Sequence, residues 1–234
     1  MTKTHVTKTI AFVLYPGLTA LDVVGPLQVL SGLAQFDPAY RVVVLAKDTA
    51  PLPSDTPLAL AASHTFDEIA EADVLVVPGG TEGTLAALAD DTLLGWIRHA
   101  AAGAEVVGSV CTGSLLLGAA GLLEGRRATS HWAMRHLLER FGAVPVAERW
   151  VEDGPFITAA GVAAGIDMAL ALVERLAGEE MARMVQLWIE YDPQPPLGGI
   201  DWDKVDIPSY RPIADGLLAS TLAGHPELLA RLTA

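Results

Sequence analysis

The chain has 234 residues, of which 51% are hydrophobic and 18% are charged, and its formal net charge is -13. This length suits one domain with a sizeable core, and the low charge with the high apolar content excludes a disordered chain. The acidic balance argues against nucleic acid as a partner, because a phosphate backbone is bound by clustered Lys and Arg. The single cysteine, Cys111, forbids an intrachain disulfide and a multi-cysteine zinc site, so we expect a cytoplasmic protein.

Strand-like and helical patterns alternate along most of the chain. Near-continuous runs of Val, Ile and Leu predict buried parallel strands at residues 9–14, 40–46, 73–77 and 105–110. Helical spacing of apolar residues predicts helices at residues 19–30, 83–88, 91–102, 112–120, 131–141, 162–177 and 179–190. This alternation predicts a doubly wound α/β sheet with helices on both faces.

Three segments fall outside this alternation. The polar residues 47–57 predict a loop, and residues 148–157 predict a small hairpin. Beyond these, the C-terminal sequence becomes rich in Pro and Gly before a short amphipathic helix at about residues 215–233. We therefore expect one domain over residues 1–192 and an extension over residues 193–234 that packs on the body or on a partner subunit.

An uncharged run of 18 residues, 106–123, raises the question of a membrane span. Several Gly, Ser and Thr residues dilute this run, so a buried strand that leads into a buried helix fits it better. The apolar run 10–21 resembles the start of a signal peptide, but Pro16-Gly17 interrupts it and no small-residue cleavage pattern follows. The sequence predicts neither a membrane span nor an export signal.

The first candidate for chemistry is Cys111, in the segment GSVCTGS at residues 108–114. Ligands of open α/β sheets bind beyond the carboxyl ends of the strands, and here a strand ends on the cysteine as a helix begins. Small neighbours permit the strained turn that projects a nucleophile in serine hydrolases, and a helix N-terminus favours a thiolate. The alternative is a buried structural cysteine. The flanking glycines favour catalysis.

Two other predicted strand ends carry candidate residues. The N–H groups of Gly79 or Gly80 could form an oxyanion hole with the N–H of Thr112, although paired glycines also make simple turns. Asp22 follows the first strand and is flanked by apolar residues, where burial is costly without a partner. Asp22 is therefore a candidate acid, and a helix cap or a surface carboxylate is the alternative.

His131 lies 20 residues after Cys111 at another predicted strand-to-helix junction, so a Cys/His arrangement is a further option. The other histidines fall in predicted loops or on helix faces. No pair has the spacing of metal ligands, and neither a phosphate loop nor a dinucleotide fingerprint is present. The sequence therefore predicts no metal and no nucleotide cofactor.

Five short motifs together resemble the ThiJ/PfpI superfamily, and within it the isonitrile hydratase branch. They cover about residues 9–196 and are LDVVGP at 21–26, VPGG at 77–80, SVCTGS at 109–114, TSHW at 129–132 and GID at 165–167. The resemblance implies a flavodoxin-like three-layer sandwich, of the class I glutamine amidotransferase type. It implies a mostly parallel sheet, a nucleophile elbow and a homodimer.

The resemblance also implies an activity and the residues that carry it. The activity is a cofactor-free, lyase-type hydration that converts an isonitrile into an N-substituted formamide through a cysteine thioimidate. The resemblance implies that Cys111 is the nucleophile, that Asp22 is the partner acid and that Thr112 contacts the substrate. Many other members use Glu as the acid, so Asp22 favours the hydratase branch.

One segment departs from the hydratase pattern, which is richer in glycine than TAAGV at residues 158–162. The added methyl groups lie near the expected pocket and bear on substrate range. With Gly79 and Gly80, Val162 is expected to line the site. His131 is expected to have a structural role or to contact the catalytic residues without reacting itself, because a cysteine and an acid suffice for this chemistry.

Two other functions remain open. Glyoxalase or deglycase chemistry on small carbonyls uses the same cysteine in other branches of the superfamily. The second is a redox-sensing or ligand-sensing protein without turnover, similar to the N-terminal half of AraC-like regulators. The tail after Pro193 is not basic and is predicted to form at most one helix, which argues against a DNA-binding half. In a redox sensor, oxidation of Cys111 would be the event that is sensed.

Overall fold

The computed structural model describes residues 7–233, so the first six residues of the expected domain lie outside it. Within this range the strands are β1 (Lys8–Val13), β2 (Tyr40–Ala46), β3 (Leu52–Pro53), β4 (Ala59–Leu60), β5 (His64–Thr65), β6 (Val74–Val77), β7 (Val106–Ser109), β8 (Arg127–Ala128), β9 (Val144–Pro145), β10 (Trp150–Asp153) and β11 (Phe156–Ala159). The four predicted strands are β1, β2, β6 and β7, each correct to within one residue at either end.

Helices connect and follow these strands. They are α1 (Ala20–Phe36), α2 (Glu82–Ala87), α3 (Asp91–Gly103), α4 (Gly113–Ala119), α5 (Ala164–Ala177), α6 (Glu179–Trp188), α7 (Arg211–Thr221) and α8 (Pro226–Thr233). Short 3-10 helices occur at Arg135–Phe141, Trp202–Lys204 and Ile207–Tyr210. None of the helices within the described range is both long and apolar enough to cross a membrane.

Three helix predictions are wrong in detail, and the first of these helices, predicted at residues 19–30, continues to Phe36. Residues 131–141 form a turn followed by a 3-10 helix, because the His131 ring accepts the N–H of Ala133 and a local turn replaces the first α-helical turn. The tail forms α7 and α8 rather than one helix at 215–233. Pro226 begins α8, and the ring of a proline disfavours helical backbone at the residue before it.

The central sheet of the described residues has the strand order β10-β11-β7-β6-β1-β2-β5. All neighbouring strands pair in parallel except β10 and β11, which form the predicted hairpin. Helices α1, α5 and α6 pack together in one layer, while α3 and α4 pack together in the other. The predicted three-layer sandwich with a mostly parallel sheet is confirmed.

The C-terminal extension packs on the body of its own chain. Leu218, Leu222 and Leu232 are fully buried, α7 contacts α2, and α8 contacts the 3-10 helix Arg135–Phe141. Two side-chain nitrogens of Arg231 donate to the carbonyl of Arg140 at 3.3 and 3.2 Å. These contacts fix α7 above the carboxyl ends of the central strands.

Candidate active site

The neighbouring strands β1, β6 and β7 end at one edge of the sheet, and three candidate residues meet there. Asp22 lies in the first turn of α1 after β1, Gly79 follows β6, and Cys111 follows β7. The N–H of Gly79 donates to Oδ2 of Asp22 at 3.0 Å, and the Cys111 thiol hydrogen-bonds to the same carboxyl. The structure therefore brings the predicted acid and the predicted nucleophile together.

The backbone of Cys111 is strained and held firmly. Its φ of +57° is in the left-handed region, which non-glycine residues rarely adopt and which costs about 1–3 kcal/mol. Its N–H donates to the carbonyls of Ala159 and Ala160 at 3.1 and 3.0 Å. Its carbonyl accepts from the hydroxyls of Ser114 and Ser130 at 3.2 and 3.0 Å. These bonds hold the sharp turn that the flanking small residues predict.

Two glycines permit the close packing around this turn. A Cβ on Gly113 would lie 2.2 Å from the carbonyl oxygen of Val77. A Cβ on Gly79 would lie 2.5 Å from the backbone nitrogen of Thr112 and 2.9 Å from Oδ2 of Asp22. Any side chain at either position would push the end of β6 away from the cysteine.

Asp22 is fully buried, so the alternative of a surface carboxylate is wrong. Thr19, rather than Asp22, occupies the cap position of α1. Burial raises the pKa of Asp22 to about 7, while the hydrogen bonds from the Gly79 N–H and the Cys111 thiol oppose the rise. Its Oδ1 has no hydrogen-bond partner among the described residues. The carboxyl therefore exchanges a proton near neutral pH.

The thiol of Cys111 is protonated at rest, contrary to the expectation of a thiolate at a helix N-terminus. Burial raises its pKa well above the ordinary value, and the negative charge of Asp22 raises it further. The N–H groups of Val162 and Thr112 bond to the sulfur and lower the pKa, but they do not compensate for burial. The pair therefore starts as a thiol beside an acid that titrates near pH 7.

The N–H groups of Gly79 and Gly80 are both occupied in this structure. That of Gly79 bonds to Asp22, and that of Gly80 donates to Oγ1 of Thr112 at 2.9 Å. The Thr112 hydroxyl donates in turn to the carbonyl of Gly80 at 2.5 Å. The expected oxyanion role of the two glycines would require these bonds to break. The backbone N–H groups of Thr112 and Val162 face the sulfur instead.

A buried hydroxyl network extends from Thr112 and was missed from the sequence. Oγ1 of Thr84 lies 2.9 Å from Oγ1 of Thr112 and 2.8 Å from the hydroxyl of Tyr15. Tyr15 also donates to the carbonyl of Pro78 at 2.8 Å. Tyr15 follows β1, so its position at a strand end was the one available signal. The network links α2 to the turn that holds Cys111 and to the segment that follows β6.

Val162 and His131 lie on the same side of the cysteine. Val162 has a φ of +27°, in strained backbone that a glycine would adopt more readily, which is where the hydratase pattern is richer in glycine. His131 is partly buried and burial lowers its pKa, so its ring is neutral at pH 7. It shares a cavity with Cys111 but has no hydrogen bond to the Cys111–Asp22 pair.

A cavity of about 260 Å³ lies above the cysteine. Its floor includes Gly80, Cys111 and Thr112, and its mouth includes Asp55. Its size is just below the roughly 300–1,000 Å³ of common ligand pockets, so it suits a small ligand. None of its lining residues in the described range is Lys or Arg, which disfavours an anionic ligand.

Another wall of this cavity comes from the C-terminal extension, a contact that was not predicted from the sequence. Tyr210, Ile213, Ala214 and Leu217 line the same cavity as the cysteine. No local pattern indicated this contact, because it joins parts of the chain about a hundred residues apart. Within residues 7–233, no three His, Cys, Asp or Glu side chains are grouped to hold a metal ion.

Comparisons with known proteins agree with the geometry. The DJ-1/PfpI family model matches residues 8–175. An isonitrile hydratase from Pseudomonas putida is 47% identical over 80% of each chain. The HTH-type transcriptional regulator CdhR from Pseudomonas aeruginosa is 32% identical over 74% of this chain, which spans about half of the regulator (52%). The resemblance drawn from the short motifs is therefore confirmed.

A solved structure extends the likeness to the tail. A ThiJ/PfpI family protein from Pseudomonas syringae superposes with a TM-score of 0.82 and 38% identity, and the match covers 93% of this chain and 94% of that one. The family model covers most of the chain, and the matched strands and helices carry the cysteine and the acid. The chain belongs to the DJ-1/PfpI family.

Proposed function

We propose that this chain is an isonitrile hydratase that converts an isonitrile and water into an N-substituted formamide. The observation that carries the proposal is the buried Asp22 carboxyl, with a pKa of about 7, against the Cys111 thiol. None of the described residues that line the cavity above them is Lys or Arg, and its largely apolar lining suits a small uncharged substrate. The 47% identity to the Pseudomonas putida hydratase supports this choice within the family.

In the first half of the reaction, the Asp22 carboxylate takes the proton of the Cys111 thiol and delivers it to the terminal carbon of R–N≡C. The sulfur attacks the same carbon, so a C–S bond and a C–H bond form while the S–H bond breaks. The product is the thioimidate R–N=CH–S–Cys. The N–H groups of Thr112 and Val162 stabilise the negative charge that develops on the sulfur.

In the second half, water adds across the C=N bond. Asp22 takes one proton from the water as its oxygen bonds to carbon, and passes that proton to the nitrogen. The C–S bond then breaks while the proton of the new hydroxyl group returns to the sulfur through Asp22. This releases R–NH–CHO and restores the thiol, so the sum is the addition of one water without oxidation or reduction.

The test is to incubate the protein with cyclohexyl isocyanide and measure the formamide by mass spectrometry. We expect turnover by the wild type and a loss of at least about 1,000-fold in the Cys111→Ala variant, because its covalent intermediate cannot form. Undiminished turnover in Cys111→Ala would overturn the role of the cysteine. A parallel incubation with methylglyoxal tests the glyoxalase alternative, which would give lactate and no formamide.

The protonation of Cys111 disfavours the alternative of a redox sensor. Oxidation to sulfenic acid proceeds through the thiolate, and burial together with Asp22 raises the pKa of Cys111. Peroxide treatment followed by intact-mass measurement checks this directly. Rapid stoichiometric oxidation, with no turnover of any isonitrile, would favour the sensor instead.

We extend the proposal to a homodimer in a reducing cytoplasm. Apolar side chains remain exposed on α1 and α6, namely Leu21, Val24, Met184, Leu187 and Trp188. Helices α2 and α5 pack within the chain, α2 on α4 and α7, and α5 on α1 and α6. A thiol that must stay reduced for catalysis, in a chain without a second cysteine, supports the compartment.

A further inference from the structure

One face of α7 closes the cavity opposite the reacting pair. Tyr210, which immediately precedes α7, and Ile213, Ala214 and Leu217 of α7 line it with the spacing i, i+3, i+4 and i+7, which places them on a single helical stripe. This stripe, the roof, presents apolar groups at every position except the Tyr210 hydroxyl. The cavity therefore has a polar floor at the cysteine and an apolar wall above it.

The roof is held in place by contacts on both sides. Leu218 of α7 and Leu222 at its C-terminal end are fully buried. The ring of Tyr210 contacts that of Trp132 edge to face, with the ring centroids 4.8 Å apart. Arg231 of α8 lies over the ring of Phe141 at 4.9 Å and anchors the end of the chain. A wall fixed in this way can exclude ligands by size, because moving it would disrupt buried packing.

The shape of an isonitrile directs its substituent toward this wall. The C–N≡C unit is linear and rigid, so when the terminal carbon lies at the Cys111 sulfur, the substituent on nitrogen extends away from the floor. None of the described lining residues is Lys or Arg, which disfavours an anionic substituent, and the apolar wall disfavours any charged one. The family match ends at residue 175, so the roof lies outside the part that carries the shared chemistry.

We propose that Ile213, Ala214 and Leu217 are the specificity-determining residues of this enzyme, and that their volume sets the largest uncharged substituent accepted on the isonitrile nitrogen. This inference rests on the proposed function for its substrate, but the wall itself can be tested without turnover. The chain has one cysteine, so any thiol reagent reports on the space above Cys111 alone.

The first test compares methyl isocyanide with cyclohexyl isocyanide. Leu217→Ala, which enlarges the cavity, should raise the kcat/KM ratio of the bulky to the small substrate about tenfold, and Ala214→Leu should lower it by at least as much. The matched controls are Leu229→Ala on α8 and Ala219→Leu on the exposed side of α7, neither of which lines the cavity. An unchanged ratio in both roof variants would overturn the proposal.

The second test measures alkylation of Cys111 by N-methylmaleimide and N-cyclohexylmaleimide, followed by intact mass. Both reagents have the same electrophile, so their rate ratio reports on space and not on the pKa of the thiol. We expect the ratio of bulky to small reagent to rise in Leu217→Ala and to fall in Ala214→Leu. If the wild type hydrates no isonitrile, the proposed function fails while this ratio still decides the role of the roof.

Overpacking by Ala214→Leu is controlled by the melting temperature. If Ala214→Leu melts far below the wild type, its rate ratios are set aside. The ratios of Leu217→Ala, which removes atoms and adds none, then decide the role of the roof. A maleimide ratio that stays at the wild-type value in folded Leu217→Ala would refute the roof as a selecting wall.

Discussion

Asp22 is an acid whose hydrogen bonds come from an N–H group and a thiol rather than from a cation. Because no counter-charge lies beside it among residues 7–233, burial dominates and moves the pKa of this carboxyl to about 7. A group that titrates near the working pH gives and takes protons with little free-energy cost in either direction. Because of the same burial, ionisation of Asp22 lowers the free energy of unfolding.

The pH dependence of kcat/KM should report on this carboxyl. The first step requires Asp22 ionised and Cys111 protonated, so we expect kcat/KM to rise about tenfold per pH unit below pH 7 and to level off above it. Initial rates of formamide release between pH 5 and 9 check this. A profile that is flat across pH 7 would contradict the role of Asp22 as the first proton acceptor.

Asp22→Asn should lose activity and gain stability. The folded-state pKa of about 7 exceeds the ordinary 3.8, so the folded wild type binds an extra proton between these values and loses stability as pH rises from about 4 to 7. The neutral amide removes this loss, and we expect the variant to be about 2–4 kcal/mol more stable at pH 8.

Urea unfolding at pH 8 and at pH 4.5 measures this difference. The advantage of Asp22→Asn should shrink toward zero at the lower pH, because the wild-type carboxyl is protonated in the folded state there. Equal stability of the two proteins at pH 8 would show that the carboxyl is not buried as an unpaired charge.

At the scale of elements, the start of α4 packs against the end of β6 with no room for a side chain. Gly113→Ala places a Cβ where the carbonyl oxygen of Val77 lies, at 2.2 Å. We expect this substitution to lower the free energy of unfolding by about 2–4 kcal/mol. Cys111 sits two residues earlier, so kcat/KM should fall as well.

Gly95→Ala in α3 is the matched control. No atom beyond its neighbours and the backbone of its own helix lies within 4 Å of the Cβ position at Gly95, and alanine is the better helix former, so we expect a gain of about 0.5–1 kcal/mol. Denaturant midpoints for the two variants should therefore move in opposite directions. Equal shifts would mean that helix propensity, and not the close approach, controls both positions.

Strands with long apolar runs were predictable from the sequence, and short ones were not. β1, β6 and β7 are buried on both faces, while β2 is buried along most of its length apart from the exposed Arg41, and all four strands are rich in apolar residues. β5 has two residues, His64–Thr65, and joins the sheet only through its pairing with β2. β11 was predicted as half of a hairpin, and its parallel pairing with β7 depends on contacts that no local pattern records.

The candidate site also has a part that was predictable from the sequence and a part that was not. Cys111, Asp22 and Gly79 each follow a strand, and the carboxyl ends of adjacent parallel strands meet, so the sequence could predict that they lie together. Thr84 and Leu217 lie within helices and approach the site only through tertiary packing. The protonation of Cys111 could not be predicted either, because it depends on the depth of burial.

At the scale of the whole molecule, α6 leaves a large apolar surface uncovered. Leu187 is 81% exposed and Trp188 57%, and Trp188 rests edge to face on Phe36 of α1 at 5.5 Å. Water-exposed apolar groups of this size are typical of subunit interfaces. This surface supports the proposed homodimer.

Sedimentation velocity at micromolar concentration tests the dimer. We expect the wild type to sediment at twice the mass of the chain, and Leu187→Glu to dissociate at least tenfold more readily, because it buries a charge. Leu58→Glu replaces an exposed leucine in the loop before β4 and should leave the dimer unchanged. A wild type that is monomeric, or equal behaviour of the two variants, would remove α6 from the interface.

The two edges of the central sheet limit how copies of this chain can associate. At one edge, β5 has two residues. At the other, Asp153 and Glu152 of β10 form ion pairs with Arg126 and Arg175 at 3.3 and 3.5 Å. Short or charged edges are poor templates for strand addition, so this apolar chain is protected from continuous sheet growth and from the aggregation that follows it.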